Sequence, residues 1–315
     1  MKKRTIIALI VAVLLVVAGC VVLMLGLSFA GDSAAQSVLT EQEVLISESF
    51  ESVVIDTEDC NVTFVPFKGD ADARVVIRER EAISHSVLVE EGTLRIRMMD
   101  NRQWTDHIGV NWESMEMTVY LPEAEYASLQ VRTDTGNIAV SEEPSFKEMI
   151  LRSDTGDIYC DGTTTENLDC MTITGDITVW GGTPTKVKLH SGTGDLKASG
   201  VNGTEIHLKT DTGEVDTEHV TTQMFTCSSN TGEVELEGVL AEEYLQIRTN
   251  TGDVGIGNCD AGQVDIETDT GDVSGHFLTP KWFSAFSDSG NVTVPNTPDG
   301  GECRIQTDSG DIHFK

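Results

Sequence analysis

The residues that could do chemistry recur along this chain instead of clustering. Asp-Thr-Gly stands at Asp134, Asp154, Asp211 and Asp269, the triplet with which aspartic proteases build their active sites. Those enzymes need two such loops face to face, so that paired carboxylates share one proton. Here the triplet is reused in series, alternates with Asn-Thr-Gly and Asp-Ser-Gly, and is followed by Asp, Glu or Asn. Turn chemistry accounts for that pattern: Gly admits backbone angles that other residues resist, and Asp or Asn bonds local amides. The histidines at 85, 107, 190, 207, 219, 276 and 313 share no column beside a nucleophile, so the sequence offers no triad. The carboxylates have one further reading, as cation ligands. Asp154, Asp157, Asp176, Asp195, Asp269, Asp272, Asp308 and Asp311 are the calcium candidates, because stacked turns would bring like charges about 5 Å apart. No row supplies the full oxygen cage of a dedicated calcium loop, and solvated turn carboxylates are the alternative.

Whatever positions these residues repeats with them. Glycines fall at 136, 156, 175, 194, 213, 232, 252, 271, 290 and 310, in steps of 19 or 20 residues. A fixed period of that size marks a repeat architecture. Numbered from its glycine, each unit is apolar seven and five residues before it, from Leu129 and Val131 to Cys303 and Ile305. Three before it every unit has Ser or Thr, and two after it every unit has Ile, Leu or Val. Alternate apolar positions mean strands with one buried face. The Ser/Thr column shares that inward parity, so its hydroxyls should bond backbone or one another.

Each unit therefore reads as strand, sharp turn, strand and polar arc, often with a second corner as at Gly200 or Gly238. Stacked units would form a β-solenoid; units paired within themselves would form a chain of hairpins. Near-constant length and like residues in every inward column favour stacking. The expected fold is all-β: a single-chain, parallel β-helix-like solenoid of ten coils over 129–315, capped by a degenerate β-rich region over 44–128. Within that cap, Cys60 takes the glycine column four periods before Gly136, and a second echo surrounds Gly92. The last unit stops as its second strand is complete, leaving an open edge for a partner or for end-to-end self-association.

Composition bounds the partners. The chain of 315 residues carries a net charge of −31, and removing the cations Lys2, Lys3 and Arg4 leaves −34 from Gly31 onward. Such a surface excludes nucleic acid, whose phosphates need Lys and Arg. Lys2-Lys3-Arg4, within residues 1–5, precedes an uncharged run over 6–29, long enough to cross a bilayer with the basic flank inside. Residues 30–43 read as a juxtamembrane spacer, and the repeats as extracytoplasmic. A cleaved signal ending near Ala30 or a lipoprotein signal at Cys20 would export them equally. Cys160, Cys170, Cys227 and Cys303 fall in inward columns and read as small hydrophobes, not as disulfides.

The chain resembles a bacterial family of candidate adhesins, DUF4097. The likeness rests on Phe50-Glu51-Ser52-Val53-Val54-Ile55-Asp56, Gly92-Thr93-Leu94-Arg95-Ile96, Val119-Tyr120-Leu121-Pro122 and the Thr-Gly-Asp-Ile coils, and spans 44–315. It implies an envelope-associated β-solenoid, often in Gram-positive bacteria, and brings no established catalytic residues. The function expected is a membrane-anchored, non-catalytic binding scaffold for an envelope polymer or protein. The alternatives are an envelope-stress sensor and a carbohydrate-active enzyme; for the enzyme, Trp180 or Trp282 should share an exposed face with a carboxylate pair. Protease added to intact protoplasts should remove the repeats; survival until lysis would reverse the orientation.

Overall fold

The computed structural model describes residues 39–69, 71–80, 83–100, 114–162 and 164–315. The expected membrane helix and Cys20 lie outside the described residues, as do Trp104 and Trp112. Among the described residues no helix is long and apolar enough to cross a membrane. Every element there is a strand.

The repeats stack as a parallel β-solenoid. In each unit a long strand ends at the Thr-Gly turn and a short strand follows. Thus Lys186–Thr193 leads to Leu196–Ser199, and Glu205–Thr212 leads to Val215–Glu218. Long strands pair with long strands and short with short, like position on like position: Leu189 meets Leu208, which meets Cys227. Two sheets result, with the apolar columns between them. Val187, Leu189, Ile206, Val215 and Phe225 are each fully or almost fully buried. A second corner turns through left-handed residues, Gly200 (φ 67°), His219 (φ 55°) and Gly238 (φ 66°). Nine of the ten glycine-marked units close with a second strand of three residues or more; the Gly290 unit has only Val292–Thr293.

The glycine column is set by contact between coils more than by the turn alone. A Cβ built on any of the ten glycines would lie 1.9–2.2 Å from a backbone oxygen of the coil beneath, and for Gly213 that atom is the Gly194 oxygen at 2.1 Å. The φ of Gly213 is 155°, itself unfavourable to other residues. The carbonyl that excludes a Cβ also accepts a hydroxyl from the Ser/Thr column above. Ser153 Oγ donates to Gly136 O (2.9 Å), Ser191 Oγ to Gly175 O (2.8 Å) and Thr210 Oγ1 to Gly194 O (3.0 Å).

The residue after the glycine builds a third ladder. Asp176 N–H donates to Asp157 Oδ1 (2.9 Å), Asp195 N–H to Asp176 Oδ1 (2.8 Å), and Asp272 N–H to Asp253 Oδ1 (2.8 Å). Two unit charges at the rung spacing of about 4.8 Å repel by roughly 0.9 kcal/mol in bulk water. A hydrogen bond to a charged group returns about 1.5–3 kcal/mol. The column of like charge is therefore stable as built.

The ends depart from the expected order. Ser52–Asp56 lies between Thr93–Asp100 and Glu125–Thr135, and Cys60–Phe67 lies between Met115–Pro122 and Ile138–Val140. Cys60 is thus one rung below Gly136, not four. Gly92 is no coil corner: Glu91 (φ 50°) and Gly92 (φ 73°) join the antiparallel strands Ile83–Glu90 and Thr93–Asp100 in a two-residue hairpin turn. At the other end, Gly301–Ser309 lies between Val254–Thr270 and Lys281–Ser287, with Ile312–Phe314 inserted in the same way. The open coil is therefore the Gly290 unit, and the edge expected beside Lys315 is already paired on both sides.

Gly213→Val should cost on the order of 3 kcal/mol, since backbone and not a mobile side chain blocks the Cβ. Gly238→Asn should cost under about 1 kcal/mol, because Asn tolerates the left-handed region. Leu208→Asp should unfold the chain far more readily than Lys209→Asp, by burying an unpaired charge. Equal midpoints in urea for the two members of either comparison would contradict the assignment. In the turn ladder, Asp176→Asn should be neutral, since Asn61 and Asn137 already accept the ladder bond, while Asp176→Ala should lose about 1 kcal/mol. Equal losses would show that the ladder bond is not what holds the column.

Candidate functional site

The structure separates the calcium candidates into two kinds. Asp157, Asp176, Asp195, Asp272 and Asp311 stand after the glycine, and each belongs to the backbone ladder. Asp154, Asp269 and Asp308 lie exposed before it. Among the described residues no group of three or more His, Cys, Asp or Glu side chains is arranged to hold a metal ion. The ladder is interrupted where Glu replaces Asp. Burial, then the Asp195 and Glu233 charges, push the Glu214 carboxyl above its usual value; burial, then Glu235, do the same at Glu233.

One chemical grouping was not legible in the sequence. Thr57 Oγ1 lies 2.9 Å from His85 Nε2, and His85 Nδ1 lies 2.7 Å from Glu79 Oε2. That is the order of a hydroxyl–imidazole–carboxylate triad. All three residues are buried, so the hydroxyl has no open approach. Its place explains it instead. Thr57 stands three residues before Cys60 and so belongs to the Ser/Thr column, whose other hydroxyls donate to glycine carbonyls. Here the imidazole stands where those coils offer a carbonyl, and Glu79 fixes the ring. Only the Thr57 column position was readable; pairing with residues 79 and 85 depends on how the cap folds back.

Among the described residues the cysteines are buried and offer no exposed nucleophile. Burial pushes the Cys160, Cys227 and Cys303 thiols up to about 12, and all three are free and buried as their columns implied.

Among the hollows on the described outer surface are the following two. The larger, of about 680 Å³, runs along the side between the second corner and the next long strand, past Thr222, Asp260 and Lys281. Its buried cation is already satisfied: Lys281 pairs with Asp260 and donates to Ala261 O (2.7 Å) and Thr279 Oγ1 (3.1 Å). The smaller, of about 330 Å³, lies on the outward face of the long-strand sheet. Two rows cross it: His207, Thr226 and Gln246 occupy successive rungs, as do Lys209, Ser228 and Arg248. The middle rung has short side chains, so the flanking rungs form walls. Arg248 is held from outside by Glu267 (2.5 Å) and Asp265 (3.3 Å). Beyond Lys209 lie His190 and Lys188; burial lowers the His190 imidazole pKa, helped by the charges of Lys209, Lys188 and Arg152 and opposed by Asp211. Lys188 has no carboxylate within ion-pair distance among the described residues.

The same coils are acidic on the short-strand sheet, where Asp216 meets Glu235 and Glu218 meets Glu237. The short-strand face is thus the more acidic of the two, while on the long-strand face Lys186, Lys209 and Arg248 are each beside a carboxylate. Neither Trp180 nor Trp282 has a pair of acids beside it in its row. Trp180 adjoins Asp161 and Ser199, and Trp282 adjoins Glu302.

Among solved structures, a candidate adhesin from Bacteroides fragilis NCTC 9343 is 14% identical, with 89% of this chain and 98% of that chain covered and a TM-score of 0.43. A candidate adhesin from Parabacteroides distasonis ATCC 8503 is 10% identical, with 88% and 97% covered and a TM-score of 0.44. A candidate lipid-binding protein from the same organism is 12% identical, with 88% and 96% covered and a TM-score of 0.41. At these scores the likenesses carry no argument about ligands. A comparison with curated proteins finds no match. The description Toastrack DUF4097 matches residues 50–219 and 204–315, and together these matches span nearly all of the described solenoid. The chain belongs to the DUF4097 family.

Proposed function

We propose that this protein is a membrane-anchored, non-catalytic binding scaffold displayed on the outer side of a bacterial envelope. The observation that carries the reading is the division of each long strand between its two faces. Inward, the groups capable of chemistry are spent on structure: thiols in the core, hydroxyls on glycine carbonyls. Outward, side chains stand in straight rows with one residue per rung, and two of those rows cross a notch that has Lys209 on one wall and Arg248 on the other. A rigid array of that kind suits a long ligand contacted at many points, because its side chains need no reordering on binding. The −31 charge suits a protein that must remain extended and unaggregated. The anchor rests on the uncharged run over 6–29 and its basic flank.

The test is co-sedimentation of the released repeats with isolated envelopes. The repeats should pellet with the envelope, withstand a wash at physiological salt, and leave the envelope glycans at their original length. Repeats that stay in the supernatant would contradict the scaffold; shortened glycans would support the enzyme instead.

A further inference from the structure

We propose that the notch over Thr226 and Ser228 binds an oxyanion, with Lys209 and Arg248 as its jaws, and that its ligand is a phosphodiester-linked polymer lying along the long-strand sheet. This rests on the scaffold reading and names the ligand class for it.

The spacing makes the case. Lys209 and Arg248 are two rungs apart, about 9.6 Å along the solenoid axis, with Ser228 between them. That gap admits one tetrahedral anion with charge-assisted contacts of about 2.8 Å to either side. The Ser228 hydroxyl has no protein partner among the described residues and faces the gap as a further donor. Glu267 and Asp265 each take an N–H from one terminal nitrogen of Arg248 and hold the guanidinium in place, so the N–H groups left over meet the anion without first being ordered. In the companion row, His207 Nδ1 lies 2.5 Å from Thr226 Oγ1, and Gln246 Nε2 is held by Tyr244 (3.0 Å) and Asp265 (3.3 Å). The walls are thus built, and the floor is left low.

A polymer is favoured over a single ion by what lies along the axis. One rung beyond Lys209 stand His190 and, in the neighbouring row, Lys188, which has no carboxylate of its own. Lys186 follows on that rung, paired with Glu205 at 2.7 Å. A ligand with charges repeated along its length meets the notch and then Lys188; an isolated phosphate meets only the first. The acidic short-strand face in the same coils repels that ligand and so fixes which side it uses.

The full-length protein in detergent is titrated with polyphosphate of defined length at about 0.15 M salt, where long-range attraction is screened. Saturable binding is expected, weakened about tenfold or more in the double variant Lys188→Gln/Lys209→Gln. Lys147→Gln, outside the notch on the same sheet, should bind as the parent does. Urea melts confirm that both variants fold, since all three lysines are exposed. Absence of saturable heat, or an equal loss in Lys147→Gln, overturns the site. Binding to vesicles rich in anionic lipid but not to polyphosphate would assign the notch to a membrane surface. Concentration-dependent pairing of the protein, abolished by the double variant without polyphosphate binding, would assign it to the acidic face of a second copy. Either result overturns the polymer. Envelope sedimentation separates the two readings. Retention by envelopes without polyphosphate binding sinks the notch alone, and polyphosphate binding through the notch without retention sinks the scaffold alone.

Discussion

Backbone meets backbone at every Thr-Gly turn, and the other regularities follow from that approach. The carbonyl of one glycine sits where the Cβ of the next would be, so the column admits no side chain over ten units. Once the coils are that close, the same carbonyl is in reach of the Ser or Thr above it. The Asp after the glycine is then in reach of the next amide. Three ladders at one corner thus share a single geometric cause, and they satisfy polar backbone that the tight turn would otherwise leave buried. The second corner is looser and accepts His219 as well as glycine.

The ladders also decide what the protein can do. Hydroxyls, thiols and turn carboxylates that look reactive in the sequence are consumed in stacking. Even the buried Thr57–His85–Glu79 arrangement ends a ladder and opens no cleft. The outward rows, which stacking holds straight at one residue per rung, are not consumed in this way. In coils 186–248 the cations Lys188, Lys209 and Arg248 stand on one sheet and the acidic rows on the other, so the two faces differ in charge.

Much of this was readable from residue columns. Val187, Leu189 and Ile206 declared their inward direction by alternation, and the Ser/Thr column declared its backbone partners by parity. The reason for glycine was only half legible. Sequence pointed to a backbone angle, whereas the stronger constraint is a neighbouring carbonyl that appears only once coils stack. The order of the end coils was not legible at all. Period arithmetic put Cys60 four coils from Gly136, but the strands Ala73–Arg80, Ile83–Glu90, Thr93–Asp100 and Met115–Pro122 lie outside the line of the stack, between Cys60 and Gly136 in the chain. The same holds for Gly301–Ser309, which passes beneath the preceding unit. A repeat shows that coils stack, and long-range pairing decides which neighbour each takes. The notch was missed because it depends on two short residues, Thr226 and Ser228, seen against their neighbours one rung up and one rung down.

The stacking order itself is the most exposed claim. In this structure Ser274 is in register with His313, and His313 with Thr293, so Ser274 and Thr293 are two rungs apart. Coils stacked in simple chain order would instead make Ser274 and Thr293 neighbours. Paired substitutions test this under mild oxidation, because the native cysteines among the described residues are all buried. The pair Ser274→Cys/His313→Cys should form a disulfide rapidly, and Ser274→Cys/Thr293→Cys should stay reduced. The opposite result would contradict the interlaced end and with it the register on which the account is built.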